Sequence, residues 1–140
     1  MDIRSILKSE ALPDVRELSS LSLAFVGDSV YEQYIRTKIL AQGNRPANQL
    51  HNIAVGYVKA KAQAIAARGI LSHLSEEESE ILRRGRNTNI HTVPKHADMN
   101  DYRQATGLEC LVGYLYVTGQ TERMLELLDL CFSAINAANA

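Results

Sequence analysis

The chain has 140 residues, a formal net charge of −1 and 46% hydrophobic residues, a composition typical of a single globular domain. A charge this close to zero excludes a protein that binds nucleic acid over its whole surface, so any phosphate contact must come from a local basic patch. The two cysteines, Cys110 and Cys131, lie in apolar helical patterns and indicate buried thiols, not a disulfide framework. No apolar run approaches the ~20 residues that span a bilayer. The first residues lack the apolar core of a signal peptide, so we expect a cytoplasmic protein.

The first strong element is an apolar helix predicted over residues 21–40, after a short amphipathic segment that ends at Pro13. Apolar side chains cover far more than one stripe of this helix, so we expect it to be buried nearly all round. It carries one carboxylate, Asp28, directly after Gly27, and a glycine inside a helix costs about 1 kcal/mol relative to alanine. Because a buried carboxylate must be compensated, Asp28 either caps backbone groups or faces a polar cleft and binds a ligand.

The middle of the chain predicts two helices and a long loop. One helix is expected from Asn48 to about Arg68, and a shorter one over 76–84 begins at the capping box of Ser75 and Glu78. Residues 85–100 show no helical period and many turn formers. Loops of this length in a compact domain are usually functional or disordered.

Two more helices complete the chain, over 101–117 and from Thr121 onward, and no segment alternates as a strand does. The predicted fold class is therefore all-α. The first of these helices is apolar and carries one carboxylate near its middle, Glu109. If it packs against the helix of Asp28, both carboxylates can face one cleft and suit Mg²⁺. The alternative is that each carboxylate is hydrogen-bonded separately and is structural.

A basic segment from Arg83 to His96 contains no acid. Its cations and amides fit phosphate contact, although a solvated structural loop is an equally good interpretation. Asp98 and Asp101 follow it as N-caps or surface charges, with metal ligation or substrate contact as the alternative. The segment's candidate phosphate ligands are Arg83, Arg84, Arg86, Asn87 and Lys95.

Three motifs, LAFVGDSVYE, RRGRN and LECLVGYLY, together resemble the catalytic domain of ribonuclease III, over roughly residues 18–130. The sequence TVPK after RGRN is similar to the short subgroup that lacks a C-terminal double-stranded RNA-binding domain. The resemblance implies one all-helical, homodimeric domain over residues 1–140. It also implies a Mg²⁺-dependent endonuclease that cleaves double-stranded RNA and acts in maturation of the large-subunit (23S) ribosomal RNA.

By this resemblance Asp28 and Glu109 match the acids of the two signature helices, and both are expected to be catalytic metal ligands. Two further acids of the family are replaced here by Ala24 and Thr106, and Asp98 is the nearest spare acid that could approach the site. Water or Thr106 is expected to take the place of these two missing acids. The residues expected to grip RNA phosphates are Lys59, Lys61, Arg83, Arg84, Arg86, Asn87 and Lys95.

Without a separate RNA-binding domain, affinity for naked RNA should be modest and salt-sensitive, so a ribosomal protein is a candidate partner that presents the substrate. The missing acids support a rival hypothesis, a non-catalytic ribosome-associated RNA-binding module of the same fold. A helical dimer without any role in RNA binding is a third. Cleavage of duplex RNA that requires Mg²⁺ would distinguish the enzyme from both.

Overall fold

The computed structural model describes residues 4–9, 11–89 and 98–140. Over these residues the regular structure is entirely helical, which confirms the predicted all-α class. None of the described helices combines the length and apolar character needed to cross a bilayer. The helices are α1 (Arg4–Ser9), α2 (Ser20–Ala41), α3 (Ala47–Val58), α4 (Ala60–Ile70), α5 (Glu76–Arg86), α6 (Met99–Val117) and α7 (Thr121–Ala138), with 3₁₀ turns at Val15–Glu17 and Leu71–His73.

Local signals set several of the helix ends. The predicted capping box is confirmed: Ser75 accepts a hydrogen bond from the Glu78 amide at 3.1 Å, and the Glu78 carboxylate accepts one from the Ser75 amide at 2.9 Å. Gly119 follows the end of α6 with a φ of +73°, a conformation that favours glycine. The loop predicted over 85–100 has wrong boundaries, because α5 continues to Arg86 and α6 begins at Met99; residues 90–97 of that stretch lie outside the described ranges.

The single helix predicted from Asn48 to Arg68 is wrong, because the structure divides this stretch into α3 and α4. Lys59 has an extended backbone (ψ 153°) and both ends α3 and begins α4. The side chain of Gln63 donates its Nε2 to the Val58 carbonyl oxygen at 2.8 Å. This hydrogen bond compensates a carbonyl at the break, and helical periodicity alone could not reveal such a tertiary contribution.

Helix α6 is the centre of the bundle. Helices α2, α4 and α5 pack directly on it, and α7 packs mainly on α4. It is buried over almost its whole length, apart from its first turn, its last residue and the partly buried Glu109. Large side chains that are fully buried come from all of these helices: Tyr31, Ile35, Ile70, Leu82, Leu108, Leu111, Leu115, Leu128 and Ile135.

Helices α2 and α6 cross in backbone contact at two glycines. A Cβ atom on Gly27 would overlap the carbonyl oxygen of Glu109 and lie 2.7 Å from the amide nitrogen of Gly113. A Cβ atom on Gly113 would overlap the carbonyl oxygen of Leu23. No other residue type permits so close an approach. The crossing therefore places Asp28, next to Gly27, beside Glu109, which lies one turn before Gly113.

A second glycine contact joins α5 to α6. A Cβ atom on Gly107 would lie 2.7 Å from the Leu82 carbonyl oxygen, and one on Gly85 would lie 2.7 Å from the Cβ of Cys110. The C-terminal end of α5, which carries Arg86, is thus held tightly against α6. Glycine contacts on two sides allow α6 to occupy the middle of a closely packed bundle.

The prediction that α2 is buried all round is wrong for the single chain. One side, which includes Tyr31 and Ile35, is fully buried in the core. The other side exposes apolar side chains: Phe25 is 84% exposed, Leu40 59% and Leu21 45%. We call these three residues the α2 apolar strip. Leu21 and Phe25, one helical turn apart, form the part of it that is most suited to pack against another protein, whereas exposed polar residues separate Phe25 from Leu40.

We expect Gly113→Ala to lower the free energy of unfolding by about 1–3 kcal/mol or more, because the new methyl group would overlap the Leu23 carbonyl oxygen. Gly56→Ala in α3 is the matched control, since a Cβ atom there meets nothing within 4 Å. Alanine should stabilise that helix by up to about 1 kcal/mol. Urea unfolding measures both, and equal stability of the two variants would contradict the backbone contact.

Candidate active site

The α2–α6 crossing brings together the two carboxylates that the sequence separates by most of its length. Asp28 is exposed and Glu109 is partly buried. Burial, together with a hydrogen bond to Asp28 and the charge of Asp28, raises the pKa of Glu109 to about 9. Two carboxyl groups this close cannot both ionise cheaply without a cation. Glu109 therefore holds a proton at neutral pH unless a cation replaces it.

Two buried polar side chains, Gln63 and Tyr31, interact with Glu109. Gln63 is 3% exposed, and a hydrogen bond from its amide to Glu109 opposes the rise in the pKa of that carboxyl. The hydroxyl group of Tyr31, a fully buried residue, donates to the Tyr57 carbonyl oxygen at 2.6 Å. Burial raises the pKa of Tyr31 far above its ordinary value. Gln63 and Tyr31 thereby link the surroundings of Glu109 to the C-terminal end of α3.

Sequence reasoning missed Gln63. The available signal was weak: a polar residue among the alanines of α4, at a position that turns out to face the core. The surrounding alanines are typical of a closely packed helix, but they do not indicate which residue approaches Glu109.

Ala24 and Thr106 are both 7% exposed. The Thr106 hydroxyl donates to the Tyr102 carbonyl oxygen of its own helix at 3.0 Å, as threonines in helices commonly do. Within residues 4–9, 11–89 and 98–140, no three His, Cys, Asp or Glu side chains converge in a way that could hold a metal ion. The candidate site thus consists of one carboxylate pair and its neutral neighbours.

Asp98 acts as a helix cap in the structure. Its carboxylate accepts a hydrogen bond from the Asp101 amide at 3.1 Å at the start of α6. Eleven residues separate it from Glu109, roughly 16 Å along the helix axis at 1.5 Å per residue. The capping interpretation of Asp98 is therefore the one that the structure supports, and we leave it out of the candidate ligands.

The cations predicted to contact phosphate fall into two groups. Arg83 and Arg84 both bind Glu80, at 2.6 Å and 3.1 Å, so their charges are partly neutralised. Lys59 and Lys61 are exposed and flank the start of α4. Neither lysine forms an ion pair with any residue that the structure describes.

Arg86 is partly buried at the end of α5, where its Nε makes a long 3.5 Å contact with the amide oxygen of Asn87. Like the two lysines, it lacks an acidic partner within the described ranges. Lys95 lies outside the described residues. The unpaired cations of the predicted set therefore lie at two places, the α3–α4 break and the end of α5.

Comparison with known proteins places this architecture in a family. The model of the ribonuclease III domain matches residues 21–120, which include both carboxylates. The Mini-ribonuclease 3 of Thermoanaerobacter sp. (strain X514) is 54% identical over 121 residues, covering 86% of this chain and 85% of that protein. The Mini-ribonuclease 3 of Enterococcus faecalis (strain ATCC 700802 / V583) is 44% identical over 128 residues, covering 90% and 97%.

A solved structure agrees with the sequence matches. The X-ray crystal structure of protein FN1578 from Fusobacterium nucleatum superimposes with a TM-score of 0.78 at 30% sequence identity, covering 87% of this chain and 98% of that one. The similarity spans the helices that carry Asp28 and Glu109. The resemblance first seen in the motifs is confirmed: the chain belongs to the ribonuclease III family and is an endoribonuclease of that family.

Proposed function

We propose that this endoribonuclease cleaves double-stranded RNA with the help of Mg²⁺ held by Asp28 and Glu109. The observation that carries the proposal is the meeting of these two carboxylates at the backbone contact between α2 and α6. The relatives are named as ribonucleases at up to 54% identity, which favours the enzyme over the non-catalytic module considered from the sequence. A test is incubation of the purified protein with duplex RNA, with and without Mg²⁺.

The chemistry of the donor set fits this cation. Mg²⁺ prefers hard oxygen ligands, keeps several waters, and is commonly bound through one or two carboxylates plus substrate phosphate. When bound, it supplies activation of water and neutralisation of the charge that develops on the phosphate. The protein's part is to hold two carboxyl groups so close that a cation relieves their mutual repulsion. The raised pKa of Glu109 reflects its burial first and then the neighbouring Asp28 carboxyl.

We propose that the cations without an acidic partner are the main contacts to RNA phosphate. Lys59, Lys61 and Arg86 have no acidic partner among the described residues, so contact with phosphate costs them no ion pair. Arg83 and Arg84 share Glu80 and together leave one net positive charge for RNA. Asn87 can add an amide donor, and Lys95 remains a candidate from sequence alone. Such contacts read the shape of A-form RNA, not its sequence.

We further propose a two-fold homodimer that packs the α2 apolar strip of one copy against another. Burying one large apolar side chain such as Phe25 contributes about 1.5–3 kcal/mol. In an isologous interface the same residue is buried in both copies, so this contribution is made by each of them. Two active sites, one per strand of a duplex, follow from the two-fold axis. Gel filtration of Phe25→Lys, expected to be monomeric, tests this arrangement.

The cellular role that we propose is maturation of 23S ribosomal RNA in the cytoplasm, and it rests on the family resemblance. A ribosomal protein that presents the RNA would compensate for the modest affinity expected of a domain with a net charge of −1.

We expect Asp28→Asn and Glu109→Gln each to reduce cleavage at least about 100-fold, because each removes a cation ligand with little change of shape. Helical circular dichroism should be unchanged and the unfolding midpoint should not fall, since neither variant creates a cavity and each relieves the repulsion between the two carboxyl groups. Asp98→Asn is the matched control, because asparagine caps a helix as well as aspartate does. Full activity of Asp28→Asn or Glu109→Gln would refute the assignment.

Cation binding should depend steeply on pH. Glu109, with a pKa of about 9, is protonated below that pH, and a cation must displace this proton to bind. The affinity of the RNA-free protein for Mn²⁺ should therefore rise about tenfold per pH unit and level off above pH 9. Titration calorimetry in buffers of different ionisation enthalpy measures the proton released, and Glu109→Gln should release none.

Arg86→Ala should weaken duplex RNA binding and reduce the slope of log affinity against log salt by about 0.9, the value for one phosphate contact. Arg16→Ala is the control, because Arg16 already pairs with Asp14 at 2.9 Å in the 3₁₀ turn before α2. Fluorescence anisotropy at several salt concentrations measures both slopes. An unaltered slope in Arg86→Ala would remove this residue from the proposed grip.

A further inference from the structure

Two glutamines are buried with an amide oxygen that has no hydrogen-bond partner among the described residues: Gln63 on α4 and Gln104 on α6. They are 3% and 9% exposed. A buried acceptor left unpaired costs about 1–3 kcal/mol, and an apolar side chain of similar length would avoid that cost. Stability therefore gives no reason for a glutamine at position 104, and at position 63 the gain from the hydrogen bond to the Val58 carbonyl is offset by the unpaired oxygen.

The two glutamines differ in what their amide nitrogens reach. The Nε2 of Gln63 donates to the Val58 carbonyl oxygen at 2.8 Å, and the same amide lies near enough to the Glu109 carboxyl to lower the pKa of that group. An amide nitrogen has two protons, so one group can serve both acceptors. Turning the amide over would place its oxygen against the Val58 carbonyl oxygen, which is repulsive. The two acceptors fix the orientation of Gln63, and the unpaired oxygen is the consequence.

The packing of the helices does not by itself fix the orientation of the Glu109 side chain. The glycine crossing fixes the backbone of Glu109, but a glutamate side chain has three rotatable bonds beyond its Cα. Ala24 and Thr106, one turn before Asp28 and Glu109 on their helices, offer the carboxyl group no free donor, because alanine is apolar and the Thr106 hydroxyl donates to the Tyr102 carbonyl oxygen. Gln63 supplies a donor anchored on the backbone of α3, outside α6. Because an amide is neutral, it directs the carboxylate without cancelling the charge that attracts a cation.

We propose that Gln63 is a positioning residue, whose amide nitrogen, anchored on the Val58 carbonyl, holds the Glu109 carboxylate in the orientation that binds a divalent cation together with Asp28. This inference rests on the proposed function, since it presumes a cation at the carboxylate pair. It also gives the break between α3 and α4 a purpose, because the break provides the carbonyl on which Gln63 is anchored.

The test compares Gln63→Met with Gln104→Met. Each variant removes one buried amide and one unpaired oxygen and keeps the side-chain length, but of the two glutamines only Gln63 is among the groups that act on the Glu109 carboxyl. Titration calorimetry with Mn²⁺ on the RNA-free protein should show a 10- to 100-fold loss of affinity in Gln63→Met, the usual effect of removing a group that orients a metal ligand. Gln104→Met should bind Mn²⁺ as the unaltered protein does.

Steady-state cleavage of duplex RNA provides the second readout. At a fixed subsaturating Mg²⁺ concentration, Gln63→Met should lower kcat about 10-fold or more and leave KM for RNA unchanged, because Gln63 is proposed to act on the cation site and not on the RNA. A lower melting temperature with unchanged Mn²⁺ affinity would mean that Gln63 is merely structural and would overturn the inference.

Two further variants keep every outcome decisive. If Gln63→Met does not fold, Gln63→Asn replaces it, since its amide is one methylene too short to reach both acceptors, and Mn²⁺ affinity equal to that of the unaltered protein would then refute the inference. Glu109→Gln in the same titration separates the two proposals. If it loses Mn²⁺ binding while Gln63→Met retains it, the positioning role alone fails. If Glu109→Gln still binds Mn²⁺, the cation site itself is wrong.

Discussion

Helices α2 and α6 touch backbone to backbone at Gly27 and Gly113, and much of the rest of the molecule depends on that contact. Side chains elsewhere in the core could be exchanged for others of similar volume at modest cost. At this crossing even one methyl group would overlap a carbonyl oxygen. The contact sets the distance between the helices and thereby the distance between the two carboxylates. Packing and chemistry are coupled here, because a change that separates the helices also separates Asp28 from Glu109.

The carboxylate pair does not contribute to stability. Burial of Glu109 and the neighbouring Asp28 carboxyl both disfavour the ionised form of Glu109 and raise its pKa to about 9. A buried amide with an unpaired oxygen is a further cost. Local violations of this kind are typical of functional sites, where the surrounding fold compensates for them. Here the compensation comes from an α6 that is buried almost throughout and from glycine contacts to α2 and α5.

The described surface of the protein carries both cations without acidic partners and exposed apolar side chains. Lys59 and Lys61 at the α3–α4 break and Arg86 at the end of α5 are cations without acidic partners in the described structure, whereas Arg83 and Arg84 are held by Glu80. The exposed side of α2 is apolar at Phe25. A protein with almost no net charge thus has unpaired cations at two places, which we propose contact RNA, and exposed apolar side chains, which we propose contact a second copy of the chain. Both features are local, and neither is visible in the overall composition of the chain.

The sequence by itself determined the all-helical class, the capping box at Ser75, and the two acids worth attention, because periodicity, capping and an acid within an apolar run are local properties of the chain. It did not determine the break at Lys59, the exposure of Phe25 or the contact between Gln63 and Glu109. Each of these depends on which helix lies opposite, and a neighbour distant in sequence leaves no trace in local pattern. Whether Asp28 and Glu109 meet was decided by the tertiary structure alone, since only a folded bundle can bring two glycines from separate helices into contact.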